Sequence, residues 1–191
     1  ISMSKKWMTI GMGVITALAL GACAGKEKTE VVGENAIPSK AEKAAEKRGE
    51  HVVSKVTFKK GQSDLTPSAR EELTKAVTEA QKMGEIDDVT VAVWSDMEYP
   101  GKNRKLPAAQ VRLADNRGEK IEDYLSDELD VSGYRVKIHN MGKKPGFLAE
   151  YMNTADNRLK NDLVAQGIAP KDGEMVLQNA SSSALVFIKL K

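Results

Sequence analysis

The sequence predicts an α+β domain, a two-layer sandwich in which a mixed sheet is covered by helices on one face. From residue 50 onward, segments with strand-like patterns alternate with segments of helical spacing, in the order βαβαβαβ. Apolar residues make up 41% and charged residues 29% of the 191 residues, which is typical of a globular domain. Residues 50–191 are numerous enough to bury one hydrophobic core.

The first half of this domain has the clearest signals. Residues 51–58 alternate loosely and predict the first strand. Thr66 followed by Pro67 is typical of a helix start, and an apolar stripe at helical spacing then runs to Gly84, where we expect the helix to end. Residues 89–94 (VTVAVW) are nearly all apolar and rich in β-branched side chains, which favours a central strand.

The second half begins with a polar loop at residues 95–105. A second helix is predicted from Pro107 to about residue 128. The third strand is predicted from apolar residues that alternate with polar ones, namely Tyr134, Val136 and Ile138. A third helix is expected over residues 147–166, and residues 184–190 (ALVFIKL) predict the closing strand.

The N-terminus is predicted to be a lipoprotein signal peptide of residues 1–22. Two lysines precede about fifteen uncharged, mostly apolar residues, which is too short for a typical transmembrane helix. The stretch ends in LGAC at residues 20–23, which resembles the bacterial lipobox. That resemblance implies cleavage before Cys23, attachment of lipid to its thiol, and anchorage in a membrane. Residue 24 is alanine rather than aspartate, which by the same resemblance favours the outer membrane, with the domain facing the periplasm.

Residues 23–49 are predicted to be the lipidated cysteine and a flexible tether. The segment is dominated by Lys, Glu, Ala and Gly and has no aromatic residue, so it cannot bury enough apolar surface to fold alone. A transient helix over residues 39–48 is compatible with this interpretation.

The composition excludes several classes of function. One cysteine and two histidines leave little for a metal site, and no common catalytic or phosphate-binding motif is present, so we expect neither an enzyme nor a cofactor. The net charge of +2 falls to zero when residues 1–22 are removed, and aromatics are only 5%, so nucleic acid is not an expected partner.

Two charged residues occur beside or within apolar segments of the sequence. Asp96 directly follows the apolar strand 89–94, and Arg117 lies in an apolar helical stripe. Together they could clamp a zwitterion, with the carboxylate binding an ammonium and the guanidinium binding a carboxylate. The alternatives are an internal Asp–Arg pair or a solvated helix edge.

Two blocks of the sequence resemble OmpA-like, peptidoglycan-associated domains. Residues 58–73 (FKKGQSDLTPSAREEL) resemble the family's first strand end and first helix start. In the second block, over residues 110–125 (QVRLADNRGEKIEDYL), Arg117 is in register with the family's arginine, and Gln110 stands for its asparagine. Asp96 matches the family's aspartate. The resemblance covers essentially residues 50–191.

Membership of that family would imply a noncatalytic module that binds peptidoglycan through the diaminopimelate of its stem peptides, tethering the outer membrane to the cell wall. Asp96, Arg117 and Gln110 are then the expected ligand-binding residues. Replacing Asp96 or Arg117 is expected to abolish retention on the wall with melting behaviour near that of the wild type. Two departures from the family pattern are an Asp-to-Arg spacing about six residues longer and the absence of the Asn-Arg-Arg that precedes the last strand.

A second hypothesis is a protein–protein adaptor of the cell envelope that has kept the fold and lost wall binding. It predicts that Asp96 and Arg117 do not lie close together.

Overall fold

Four strands form one mixed sheet in the computed structural model, which describes residues 39–97, 105–143, 154–168 and 182–191. The strands are β1 (Val52–Thr57), β2 (Ile86–Val93), β3 (Val136–Asn140) and β4 (Ser183–Leu190). Their order is β1-β4-β2-β3, with β4 antiparallel to both neighbours and β2 parallel to β3. The predicted α+β class with a mixed sheet is confirmed.

The described helices are α1 (Lys40–Arg48), α2 (Pro67–Met83), α3 (Ala108–Asp127) and α4 (Ala155–Ala165). The start of α2 is the one predicted, since the Thr66 hydroxyl accepts a hydrogen bond from the Ala69 N–H and Pro67 is the first helical residue. Its end is also as predicted, because the Gly84 N–H donates to the Ala80 carbonyl.

The larger core lies between α2, α3 and one face of the sheet. Alternate residues of the two central strands point into it, among them Val89 and Val91 of β2 and Val186 and Ile188 of β4. Helices α2 and α3 contribute leucine, isoleucine, valine and alanine side chains to the same cluster, which is the packing that the apolar stripes predict.

The other face of the sheet is also covered, so the expectation of helices on one face alone is wrong. Ala44 and Ala45 of α1 and two leucines of α4 form a second cluster with Phe187 and Trp94. The physical reason is in the closing strand: its residues from 183 to 188 are all buried, which requires apolar cover on both faces. The sheet is the middle of three layers.

Helix α1 corrects the predicted tether over residues 23–49 from residue 40 onward. The helix has a capping box between Ser39 and Glu42 and ends at Gly49, whose φ of 68° is left-handed. Burial of its two alanines supplies the tertiary stabilisation that the isolated sequence lacks. Residues 1–38, with the predicted signal peptide and Cys23, lie outside the described residues. Among the residues that the structure describes, none forms a helix long and apolar enough to cross a membrane.

Three predicted boundaries differ from the structure. Tyr134 lies in a 3-10 turn (Gly133–Arg135) and is 79% exposed, so it is not an inward residue of the third strand. Strand β2 begins at Ile86, earlier than the β-branched run suggested. Helix α4 begins at Ala155, after an extended Thr154, so the predicted helix is not continuous through residue 154; its predicted first residues, 147–153, lie outside the described residues.

Candidate functional site

The structure brings Asp96 and Arg117 into direct contact at the carboxyl end of β2. Asp96 lies three residues beyond Val93, the last residue of that strand, and Arg117 lies near the middle of α3. The Arg117 Nη2 is 2.6 Å from the Asp96 Oδ1, and the two side chains are 0% and 8% exposed. The separation of 21 residues in sequence therefore becomes one buried ion pair.

The guanidinium of Arg117 is also held by the backbone. Three carbonyl groups accept its N–H groups: Gln62 from Nε at 2.9 Å, Trp94 from Nη1 at 3.0 Å, and Lys59 from Nη2 at 3.2 Å. The guanidinium carbon also lies 4.9 Å from the centre of the Phe58 ring, within cation–π range. With Asp96 included, these acceptors engage four of the five N–H donors of the guanidinium.

The segment that follows β1 forms one wall of the site. The Phe58 N–H donates to the Ser182 carbonyl at 2.7 Å, which continues the pairing of β1 with β4. A turn then places Gly61 at a φ of 73°, a conformation that favours glycine. In that conformation the Gly61 N–H donates to the Asp96 Oδ2 at 2.6 Å.

The Asp96 carboxylate is held in its charged form. Desolvation by burial raises its pKa, but hydrogen bonds from the Ser182 hydroxyl, Arg117 and the Gly61 N–H, with the positive charge of Arg117, outweigh that effect. The net result is a pKa below the usual value. The site therefore contains a carboxylate that stays ionised at neutral pH beside a permanent cation.

Gln110, the third predicted ligand residue, also lies at the site. It is half-buried in the first turn of α3, and its Oε1 accepts a hydrogen bond from the Asp96 N–H at 3.2 Å. The structure thus places all three predicted residues at one point. Residues 98–104, which connect Asp96 to the start of α3, lie outside the described part.

The distance of helix α3 from the sheet is fixed by contacts with β3. A Cβ added at Gly118 would lie 2.5 Å from the Cγ2 of Ile138, so only glycine allows this approach of the helix to the strand. Farther toward the helix start, the Asn140 amide donates to the Val111 carbonyl at 2.9 Å and to the Asp115 carboxylate at 2.8 Å. These contacts fix the position from which Arg117 reaches Asp96.

Two residues of the site were missed by the sequence analysis. Gly61 and Ser182 both donate to Asp96, the latter through its hydroxyl to Oδ1 at 2.7 Å. Gly61 stands in a Lys-Lys-Gly turn that could have indicated a left-handed residue, but the serine run 181–183, 86 residues from Asp96 at Ser182, gives no signal of a contact with that aspartate.

The described part of this arrangement is suited to the recognition of charge. The pair offers a negative and a positive centre side by side, which matches the two charges of an amino-acid head group. Within the described ranges, no group of three or more His, Cys, Asp or Glu side chains could hold a metal ion.

Comparison with known proteins gives no family model and no curated protein that matches the chain. Solved structures do match. The chain is similar to the OmpA-like domain of FopA1 from Francisella tularensis, with 12% identity over 72% of this chain and 73% of that one and a TM-score of 0.41. It is also similar to the peptidoglycan-associated lipoprotein from Burkholderia pseudomallei (13% identity, 71% and 90% coverage, TM-score 0.40). The periplasmic domain of Helicobacter pylori MotB is a third similar structure (10% identity, 73% and 74% coverage, TM-score 0.42).

Proposed function

We propose that this chain is a divergent OmpA-like lipoprotein of the outer membrane that binds peptidoglycan without covalent attachment, through the diaminopimelate of the stem peptides. The observation that carries the proposal is the contact between Asp96 and Arg117, the two residues whose charges stand out in the sequence. An adaptor that has lost the wall site predicts that these residues lie apart, whereas their atoms are 2.6 Å from each other.

The ligand chemistry follows from the two charges. The free end of diaminopimelate carries an ammonium and a carboxylate on one carbon, and a lysine side chain in the same position carries only the ammonium. Asp96 is held ionised and binds the ammonium, and Arg117 binds the carboxylate. Gln110, which already contacts the Asp96 backbone, lies close enough to line the same pocket.

Binding requires a local rearrangement of the ion pair. Four of the five N–H donors of Arg117 already have acceptors in the protein, and the side chain is fully buried. A bidentate bond to a ligand carboxylate therefore replaces at least one of these acceptors, and exchange of the Asp96 carboxylate for the ligand carboxylate frees Asp96 for the ammonium. The pair closes the site when it is empty and opens when both ligand charges arrive.

Full burial of Arg117 is the observation that favours a second candidate function, an adaptor that keeps the ion pair as an internal structural element instead of one whose paired residues have separated. A guanidinium held by three carbonyls and a carboxylate is sufficient as a purely structural element. In that case the domain binds envelope proteins through another surface, and the ion pair only maintains the fold.

The anchor is proposed from sequence alone. Lipid on Cys23 holds the chain in the outer membrane with the domain in the periplasm. Because α1 belongs to the domain, only residues 24–38 separate the anchor from Ser39, and fifteen residues reach at most about 50 Å when fully extended. For the domain to bind it directly, the wall must lie within that distance of the membrane plus the span of the domain from Ser39 to the site.

Co-sedimentation with isolated sacculi tests the proposal. We expect the wild type to pellet with sacculi and Asp96→Asn, which keeps the shape of the side chain and removes its charge, to remain in the supernatant. The matched control is Asp123→Asn, an exposed aspartate of α3 that also pairs with a cation, Lys120. Equal sedimentation of Asp96→Asn and Asp123→Asn would favour the adaptor.

A further inference from the structure

Ser182 is the residue immediately before β4, and its backbone is in an unusual conformation. Its φ is 59°, in the left-handed region that non-glycine residues seldom adopt. The other described non-glycine residue with a positive φ is Asp130, and aspartate is one of the residue types that tolerate this region. Glycine would fit the Ser182 backbone without strain, so the serine side chain must be considered for what it contributes.

The three polar groups of Ser182 connect the parts of the site. Its N–H donates to the Ser95 carbonyl at 2.6 Å, and its carbonyl accepts from the Phe58 N–H at 2.7 Å. Its hydroxyl donates to the Asp96 Oδ1 at 2.7 Å. The backbone bonds can be formed by any residue in this conformation, but the third bond requires the hydroxyl.

The hydroxyl determines which oxygen of Asp96 is left for a ligand. Oδ1 receives two donors, Arg117 and Ser182, which occupy both of its lone pairs. Oδ2 receives one donor in the described part of the chain, the Gly61 N–H, and so keeps one lone pair. When Arg117 turns to a ligand carboxylate, Ser182 still holds Oδ1 and the carboxylate keeps its orientation.

From this geometry we infer that Ser182 is a positioning residue of the ligand site, which orients Asp96 so that Oδ2 binds the ammonium of the ligand. This inference rests on the proposed function and adds to it a residue outside both sequence blocks that resemble the family. Ser182 acts through Asp96 and need not contact the ligand.

The hydroxyl also affects the charge of Asp96. Desolvation raises the pKa of Asp96. The hydrogen bond from Ser182 is the largest of the interactions that lower this pKa, followed by the hydrogen bonds from Arg117 and the Gly61 N–H. Among the described residues, Arg117 on α3 is the charged group within bonding distance of the carboxylate. In the same described part, the segment after β1 contributes the Gly61 N–H and the start of β4 contributes the Ser182 hydroxyl. Loss of the hydroxyl therefore raises the pKa of Asp96, and ligand binding then fails at a higher pH on acidification.

Two substitutions separate orientation from folding. Ser182→Ala and Ser182→Gly both remove the hydroxyl, but glycine also relieves the left-handed strain, so Ser182→Gly is expected to melt at a higher temperature than Ser182→Ala. Ser132→Ala is the matched control, because Ser132 is exposed and its side chain makes no capping bond.

The experiment is calorimetric titration of the purified full chain with a diaminopimelate-containing disaccharide tetrapeptide, repeated from pH 7 down to pH 3. We expect both Ser182 variants to bind about tenfold more weakly than the wild type, with the acidic loss of binding moved to higher pH in both. The inference would be overturned if affinity depended only on stability, that is, if Ser182→Gly bound the ligand as tightly as the wild type and with the same pH profile. Absence of binding by the wild type would instead overturn the proposed function on which it rests.

Discussion

Replacement of Arg117 by methionine is the substitution whose effect the structure defines most fully. Methionine occupies a similar volume and is compatible with a helix, so the change removes the charge and the hydrogen bonds without opening a large cavity. It leaves the Asp96 carboxylate without its cation and three backbone carbonyls without their donor.

The expected loss of stability is large for a single substitution. Removing one partner of a buried ion pair typically costs about 3–5 kcal/mol, because the remaining charge is uncompensated. Arg117 is 0% exposed, so water cannot replace its bonds without local unfolding. For a domain of this size, the corresponding decrease in melting temperature is about 6–20 °C. Near-wild-type melting, which the sequence resemblance led us to expect for such variants, is therefore not expected from the structure.

Chemical denaturation of the wild type, Arg117→Met and Lys120→Met measures the effect with a matched control. Lys120 lies on the same helix and pairs with Asp123, but the two side chains are 49% and 59% exposed, so the control is expected to cost less than about 1 kcal/mol. In the double variant Asp96→Asn/Arg117→Met, the total loss of stability should be smaller than the sum of the losses in the two single variants. The difference should be about 1–3 kcal/mol, because no unpaired charge remains.

A free energy of unfolding of Arg117→Met within about 1 kcal/mol of that of Lys120→Met would contradict this prediction. That result would mean that the guanidinium is solvated in solution and that the pair is open without ligand.

Three further predictions concern other parts of the chain. Gly118→Ala should lose about 1 kcal/mol in chemical denaturation, because the clash with Ile138 exceeds the gain in helix propensity; unchanged stability would show that α3 can move away from β3. Burial raises the pKa of Glu50 despite its hydrogen bonds with Arg48, so the folded state takes up a proton before the unfolded state does. The wild type should therefore gain stability relative to Glu50→Gln as the pH falls from 7 toward 4.5, and denaturation curves with a constant difference would contradict this. Radiolabelled palmitate should enter the wild type in bacterial cells and not Cys23→Ala, and equal labelling of both would refute lipidation.

The parts of the fold that were predictable have local signals of their own. Helix α2 is defined by Thr66, Pro67 and Gly84, whose effects act within a few residues, and the structure has the helix where they place it. Arg117 was conspicuous because a charge interrupts an apolar stripe, and burial of that stripe then makes an anionic partner necessary.

The parts that could not be predicted depend on contacts between distant segments. Helix α1 is polar in sequence and is stabilised by packing of Ala44 and Ala45 near Trp94 and Phe187, more than forty residues away. The second covered face follows from the same contacts. Ser182 reaches Asp96 across 86 residues, and the run of serines at 181–183 has no periodicity or spacing that could indicate such a contact.

Titration of the purified protein with two stem tetrapeptides tests the central claim most directly. The peptides are identical except that one carries diaminopimelate and the other lysine at the third position, so they differ in the carboxylate that Arg117 is proposed to bind. We predict saturable binding of the diaminopimelate peptide, with shifts of the Asp96 and Gln110 amide resonances, and at least tenfold weaker binding of the lysine peptide. Equal affinity for the two peptides, or no shift at either residue, would contradict recognition by the Asp96–Arg117 pair.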